Sequence, residues 1–156
     1  MFYVQIVERR VLSYTGNQLQ PRYIVCDFEL SIKVAVEHEL PNAEVNACYF
    51  HFSQSLWRRM QVLGLASAYR QHNSVHKVFR KITALSFLPV LLVRQNLNVF
   101  LASRQWQNVR HRFPAFDDFI NYFNRTYMNR GGPFPPTLWN VYDRSISTCT
   151  NNVMEG

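Results

Sequence analysis

Tyr23-Ile24-Val25-Cys26-Asp27 and, further along, Val45-Asn46-Ala47-Cys48-Tyr49-Phe50-His51 are the two stretches that decide how this chain folds. The first is a short apolar run with strand propensity whose polarity reverses abruptly at Asp27, which places the carboxylate at the rim of a sheet. Glu29 to Glu39 reads as a helix, with Leu30 and Val34 on one face, Ile32 and Ala35 as further candidates for that face, and Pro41 just beyond its end. Val45 to Phe50 is predicted as a second strand, so the unit is strand, helix, strand. After it, Phe52, Leu56, Met60 and Leu63 recur at helical spacing until Gly64 supplies a C-terminal stop. Asp27 and His51 then fall at related edges of one α/β layer.

Asp27-Phe28-Glu29, Cys48-x-x-His51-Phe52 and the distant Thr150-Asn151-Asn152-x-x-Glu155-Gly156 occur in an order and spacing that resembles the MULE (Mutator-like) transposase domain. Ala84-Leu85-x-Phe87-x-Pro89, Tyr122-Phe123 followed by Tyr127, and Phe134-Pro135 leading to Trp139-Asn140 agree as intermediate landmarks, so the likeness covers nearly the whole chain. The resemblance implies a ribonuclease-H-like α/β core with an Asp, Asp, Glu triad that holds two divalent metals, Mg2+ or Mn2+, for DNA cleavage and strand transfer. Asp27 corresponds to the second Asp and Glu155 to the Glu. The domain would divide into an α/β core portion at 1–64, a mainly helical insertion at 65–138 and an incomplete return to the core at 139–156.

The family's first Asp belongs to an earlier strand, which should precede residue 1, and Glu8 is a poor substitute for it. Glu155 lies one residue from the end of the sequence. A two-metal centre needs several carboxylates to hold cations roughly 3.5–4 Å apart. The expectation is therefore a partial transposase domain, truncated at both ends and catalytically inactive alone. The alternative is a noncatalytic DNA-binding or protein-interaction module derived from one. An incomplete sheet with an open edge also predicts self-association.

Composition bounds the rest. A chain of 156 residues with 47% apolar and 15% aromatic content can bury one core, and no apolar stretch is long enough to span a membrane. No cleavable signal is evident, so a nuclear or cytoplasmic location is expected. Cys26, Cys48 and Cys149, an odd number at unrelated spacings, argue for reduced thiols. The net charge is +7, and Val45 to Phe116 contains no Asp or Glu. Within that run Arg58, Arg59, Arg70, Lys77, Arg80 and Lys81 are the candidate nucleic-acid contacts. Trp57, Tyr69 and Trp106 interleave with the basic residues and would suit base contact if exposed. A helical bundle with a solvated basic face explains the same pattern.

Cys48-x-x-His51 has the spacing of half a zinc site, and a polar contact near metal or phosphate or a capping histidine are its competing explanations. His72 and His76 read as a surface pair beside a helix start at Asn73-Ser74, and Asp143-Arg144 as another surface pair. Cys26 reads as a small buried hydrophobe and Glu29 as a secondary metal candidate. Val75, Val78, Phe79, Ile82, Leu85 and Phe87 predict a helix before Pro89, which continues from Leu91 to Arg104. Phe116, Phe119, Ile120 and Phe123 mark the buried face of a helix reaching Tyr127, with Asp117 and Asp118 in its first turn. Met128 to Thr137 reads as a loop or hinge.

Overall fold

The computed structural model describes residues 16, 17 and 20–144. In chain order they form β1 (Tyr23–Cys26), α1 (Leu30–Glu39), β2 (Glu44–Ala47), α2 (Tyr49–Val62), α3 (Ala66–Gln71), α4 (Asn73–Ala84), α5 (Val90–Ala102), α6 (Arg104–Arg112), α7 (Phe116–Phe123) and α8 (Pro136–Trp139). A 3-10 turn at Leu85–Phe87 follows α4, and a π turn at Asn124–Met128 follows α7. The fold is α/β and mainly helical, with a two-stranded parallel sheet.

β1 and β2 pair with Tyr23 beside Glu44 and Cys26 beside Ala47. Parallel neighbours cannot be joined by a tight hairpin, and α1 supplies the crossover. The ladder ends where the Cys48 N–H donates to the Cys26 carbonyl at 3.0 Å. This corrects the expected second strand, which stops at Ala47 rather than Phe50. Cys48 is the extended N-cap of α2, and Tyr49, Phe50 and His51 form its first turn. Aromatic residues favour strands on propensity, but β1 offers no partner beyond Cys26, and the helical spacing of the following apolar residues prevails.

The buried face of α1 is also a correction. Ala35 and Val36 are covered, together with Leu40 just past the helix, whereas Leu30, Ile32 and Val34 are exposed. Two four-residue strands present a narrow platform, and small Ala35 lets the helix approach it.

The core lies among the helices. Phe52, Leu56 and Met60 of α2 meet Val75, Val78 and Ile82 of α4 and Phe116, Phe119 and Phe123 of α7 in one cluster. Gly64, at φ +71°, ends α2 in the left-handed region that glycine occupies without strain. Ser103 caps α6, its hydroxyl accepting from the Trp106 N–H at 3.3 Å. This helix is separate from α5, not its continuation to Arg104. Phe87, expected on the α4 apolar face, is exposed and meets Tyr49 at 4.9 Å between ring centroids. The segment read as a loop from Met128 to Thr137 runs into the start of the short α8, whose Trp139 lies flat on Phe52 at 4.7 Å and donates from Nε1 to the Tyr127 carbonyl at 3.0 Å.

Arg144, read with Asp143 as a surface pair, also reaches into the fold. Its guanidinium donates to the Ala47 carbonyl at 2.8 Å and the Leu138 carbonyl at 2.6 Å, tying the end of β2 to α8. Asn140 is almost fully buried and makes a similar join. Its amide donates to the Leu88 carbonyl at 2.7 Å while its oxygen accepts from the Tyr142 N–H at 2.9 Å.

Candidate functional site

The carboxyl ends of parallel strands are where α/β folds collect ligand-handling groups, because side chains there escape the sheet without losing their scaffold. Asp27 follows the last residue of β1, half-exposed, and His51 stands in the first turn of α2. His51 Nδ1 lies 2.7 Å from Asp27 Oδ1, a close electrostatic contact whose angles miss hydrogen-bond geometry. Sequence spacing put the two groups at related edges of one layer, and the fold brings them together.

Neighbouring groups set the chemistry around this pair. Burial, with the Asp27 charge adding to it, pushes the Cys26 thiol above its ordinary pKa, so the thiol is protonated at neutral pH. Cys26 is half-buried rather than fully enclosed, while Cys48 is fully buried. Glu29 Oε1 accepts from the Ser31 hydroxyl at 2.6 Å.

From His51 a polar stripe continues along one face of α2 through Ser55 and Arg59, each four residues on and therefore one turn further. The Ser55 hydroxyl donates to the Phe52 carbonyl at 2.8 Å and meets the Tyr127 hydroxyl at 2.7 Å. Tyr127 in turn lies 3.4 Å from the Tyr122 hydroxyl, and the Arg59 guanidinium sits 5.0 Å from the centre of the Tyr122 ring. Phe28, next to Asp27, packs edge-on against Tyr127 at 5.6 Å and Phe134 at 5.1 Å. Burial pushes the Tyr127 phenol above the ordinary tyrosine range. Motif spacing in the sequence does not single out Ser55, Tyr122 or Tyr127 as site residues. The available signal was the four-residue spacing of His51, Ser55 and Arg59.

The other basic candidates occupy different places. Arg58 and Arg70 are exposed on α2 and α3. Lys77, Arg80 and Lys81 share the exposed face of α4, opposite its buried Val75, Val78 and Ile82. They line a shallow cleft of about 360 Å³ with Asn73, His76 and Ala84. Lys81 Nζ also donates to Gln105 Oε1 at 2.6 Å and lies over the Phe100 ring. Arg110 is paired with Asp117 at 2.6 Å. The aromatic residues interleaved with these charges turn inward. Trp106 is buried, and Trp57 and Tyr69 are half-buried against each other and Phe79. They are core residues, not a stacking surface.

The described residues do not fit a pair of divalent cations. No group of three His, Cys, Asp or Glu side chains stands together among them, and the same holds for a zinc centre built on Cys48 and His51. Glu155 and Glu8 lie outside the described residues. No helix among the described residues is long and apolar enough to cross a membrane. No protein-family model, curated protein or solved structure matches this chain.

Proposed function

We propose that this chain is part of a MULE-type DNA transposase core with ribonuclease-H-like ancestry, acting in the nucleus. Asp27 is then one of the metal-holding carboxylates, Glu155 a second, and Mg2+ or Mn2+ the cofactor. The observation that carries the reading is the parallel strand-helix-strand unit that presents Asp27 at the carboxyl end of β1 and sets His51 against it at 2.7 Å. The described donors do not suffice for two cations, so the reading requires carboxylates from outside them and predicts no cleavage by the described residues alone. His51 supports the reading as a group that holds the Asp27 carboxylate in one orientation. The acid-free run from Val45 to Phe116 supports DNA as the partner, through Arg58, Arg59, Arg70, Lys77, Arg80 and Lys81.

A second reading is favoured by the same run: a noncatalytic DNA-binding or protein-interaction module that keeps the basic surface and no longer uses Asp27. Calorimetric titration with Mn2+ separates the two. It is performed on this chain, on Asp27→Asn, and on the chain extended by the flanking coding sequence. Binding in the extended protein that Asp27→Asn abolishes is expected for the transposase core. Mn2+ binding indifferent to Asp27 in both lengths would overturn that reading and leave the module.

A further inference from the structure

The polar stripe on α2 ends at an arginine whose surroundings suit a phosphate better than a structural ion pair. Arg59 Nε is buried without a hydrogen-bond partner. The guanidinium lies on the Tyr122 ring, and no carboxylate approaches it within ion-pairing distance among the described ion pairs. An arginine held over an aromatic ring keeps its charge and loses freedom of its stem, which favours gripping a phosphate with two parallel N–H donors. Tyr122 is itself fixed through the Tyr122, Tyr127 and Ser55 hydroxyls, back toward the turn of α2 that carries His51.

We infer that Arg59, seated on Tyr122, is a phosphodiester-binding subsite for the nucleic-acid strand that passes the Asp27–His51 pair. The inference rests on the reading above that DNA reaches Asp27. Arg59 is eight residues beyond His51 on α2, or about 12 Å along the axis at 1.5 Å per residue. The subsite therefore grips the backbone a few nucleotides from the position at Asp27. The half-buried Ser55 and Tyr122 lie between these points and form the floor over which the strand runs.

The test is fluorescence anisotropy with a fluorescein-labelled oligothymidylate and with a labelled duplex of equal length. Both are titrated over a salt series in the presence of EDTA. Arg59→Ala is expected to weaken binding about tenfold at low salt. It should also lower the slope of log K against log salt by about 0.7 on the single strand or about 0.9 on the duplex, the loss of one phosphate contact. The larger loss identifies which form of DNA uses the subsite. Arg59→Lys should keep the slope. Arg104→Ala, an exposed charge at the start of α6, should leave it unchanged. Tyr122→Leu should weaken binding in the parent and add nothing in Arg59→Ala. Arg59→Gln, which keeps most of the stem, replaces Arg59→Ala if circular dichroism shows that the alanine variant is unfolded.

Equal losses for Arg59→Ala and Arg104→Ala, in affinity and in slope, would overturn the subsite and leave Arg59 as a cover for Tyr122. Fully additive effects of Tyr122→Leu and Arg59→Ala would do the same. Because these titrations contain no metal, an Arg59-dependent slope stands even if Mn2+ ignores Asp27. An Asp27-dependent Mn2+ site without an Arg59 effect would sink the subsite alone.

Discussion

The guanidinium of Arg144 reaches two backbone carbonyls, at Ala47, the last residue of β2, and at Leu138 in the short α8, where element ends need donors. Removing it strips charge-assisted bonds from both, each contributing roughly 1.5–3 kcal/mol. Arg144→Ala should therefore destabilise the fold by about 3–6 kcal/mol in urea unfolding, while Asp143→Ala, on its exposed neighbour, should stay within about 0.5 kcal/mol. The two adjacent charges read as a surface pair in the sequence because a charge pattern shows opposite signs but not distant carbonyls.

Tyr127 shows the same limit, since the pattern placed it at the end of the Phe116 helix but did not mark its hydroxyl as the hinge of a network with Ser55 and Tyr122. Its raised pKa has a definite sign. The unfolded phenol loses its proton near pH 10 while the folded one keeps it, so the unfolded state binds fewer protons and stability falls as pH rises above about 10. Tyr49, raised by burial despite a hydrogen bond from Thr83, adds in the same direction. Unfolding measured from pH 9 to 11 should show stability declining with pH, and Tyr127→Phe should make that decline shallower.

Among the elements, those with the widest apolar stripes were the most legible. In α2 and α7 the residues Phe52, Leu56, Met60, Phe116, Phe119, Ile120 and Phe123 are all buried, as their spacing requires. Legibility failed where burial is set by a neighbour rather than by the element's own pattern. Apolar residues surround most of α1, so its inward face was decided by where the two-stranded sheet lies. The short α6 exposes most of its polar residues and buries only Trp106 and Val109, leaving the Ser103 cap as its clearest signal. The Asp27–His51 contact was legible as two strand-end groups. The extension of that site along α2 was not, because Tyr122 and Tyr127 come from a distant part of the chain. Substitutions on α1 test its orientation. Val36→Ala should cost about 1.5–3 kcal/mol, whereas Val34→Ala and Leu30→Ala should change stability by no more than about 0.5 kcal/mol in chemical denaturation.

On the scale of the whole molecule, the helical cluster is continuous from Phe52 to Trp139, and within residues 23–47 only the half-buried Phe28, in the loop between β1 and α1, packs at its margin. Ala35, Val36, Ala47 and Cys48 are buried outside most of that cluster. The strand-helix-strand unit should therefore open with a lower free energy than the helices. Native-state hydrogen exchange is expected to show amides of 23–47 exchanging before those of α2, α4 and α7. Equal protection across both regions would mean that the sheet and the helical core unfold as one.

The Arg144 strut joins positions 97 residues apart, with Ala47 early in the chain and its donor near the end of the described residues. On a ribosome elongating at roughly 5–20 residues per second, this separation corresponds to about 5–20 s. For that interval the carboxyl end of β2 lacks its clamp, so the alignment of Asp27 with the start of α2 is secured late in vectorial synthesis. The assembled pair thereby waits on the synthesis of residue 144, and nascent chains stalled before it would carry both side chains without the fastening that holds their supports together.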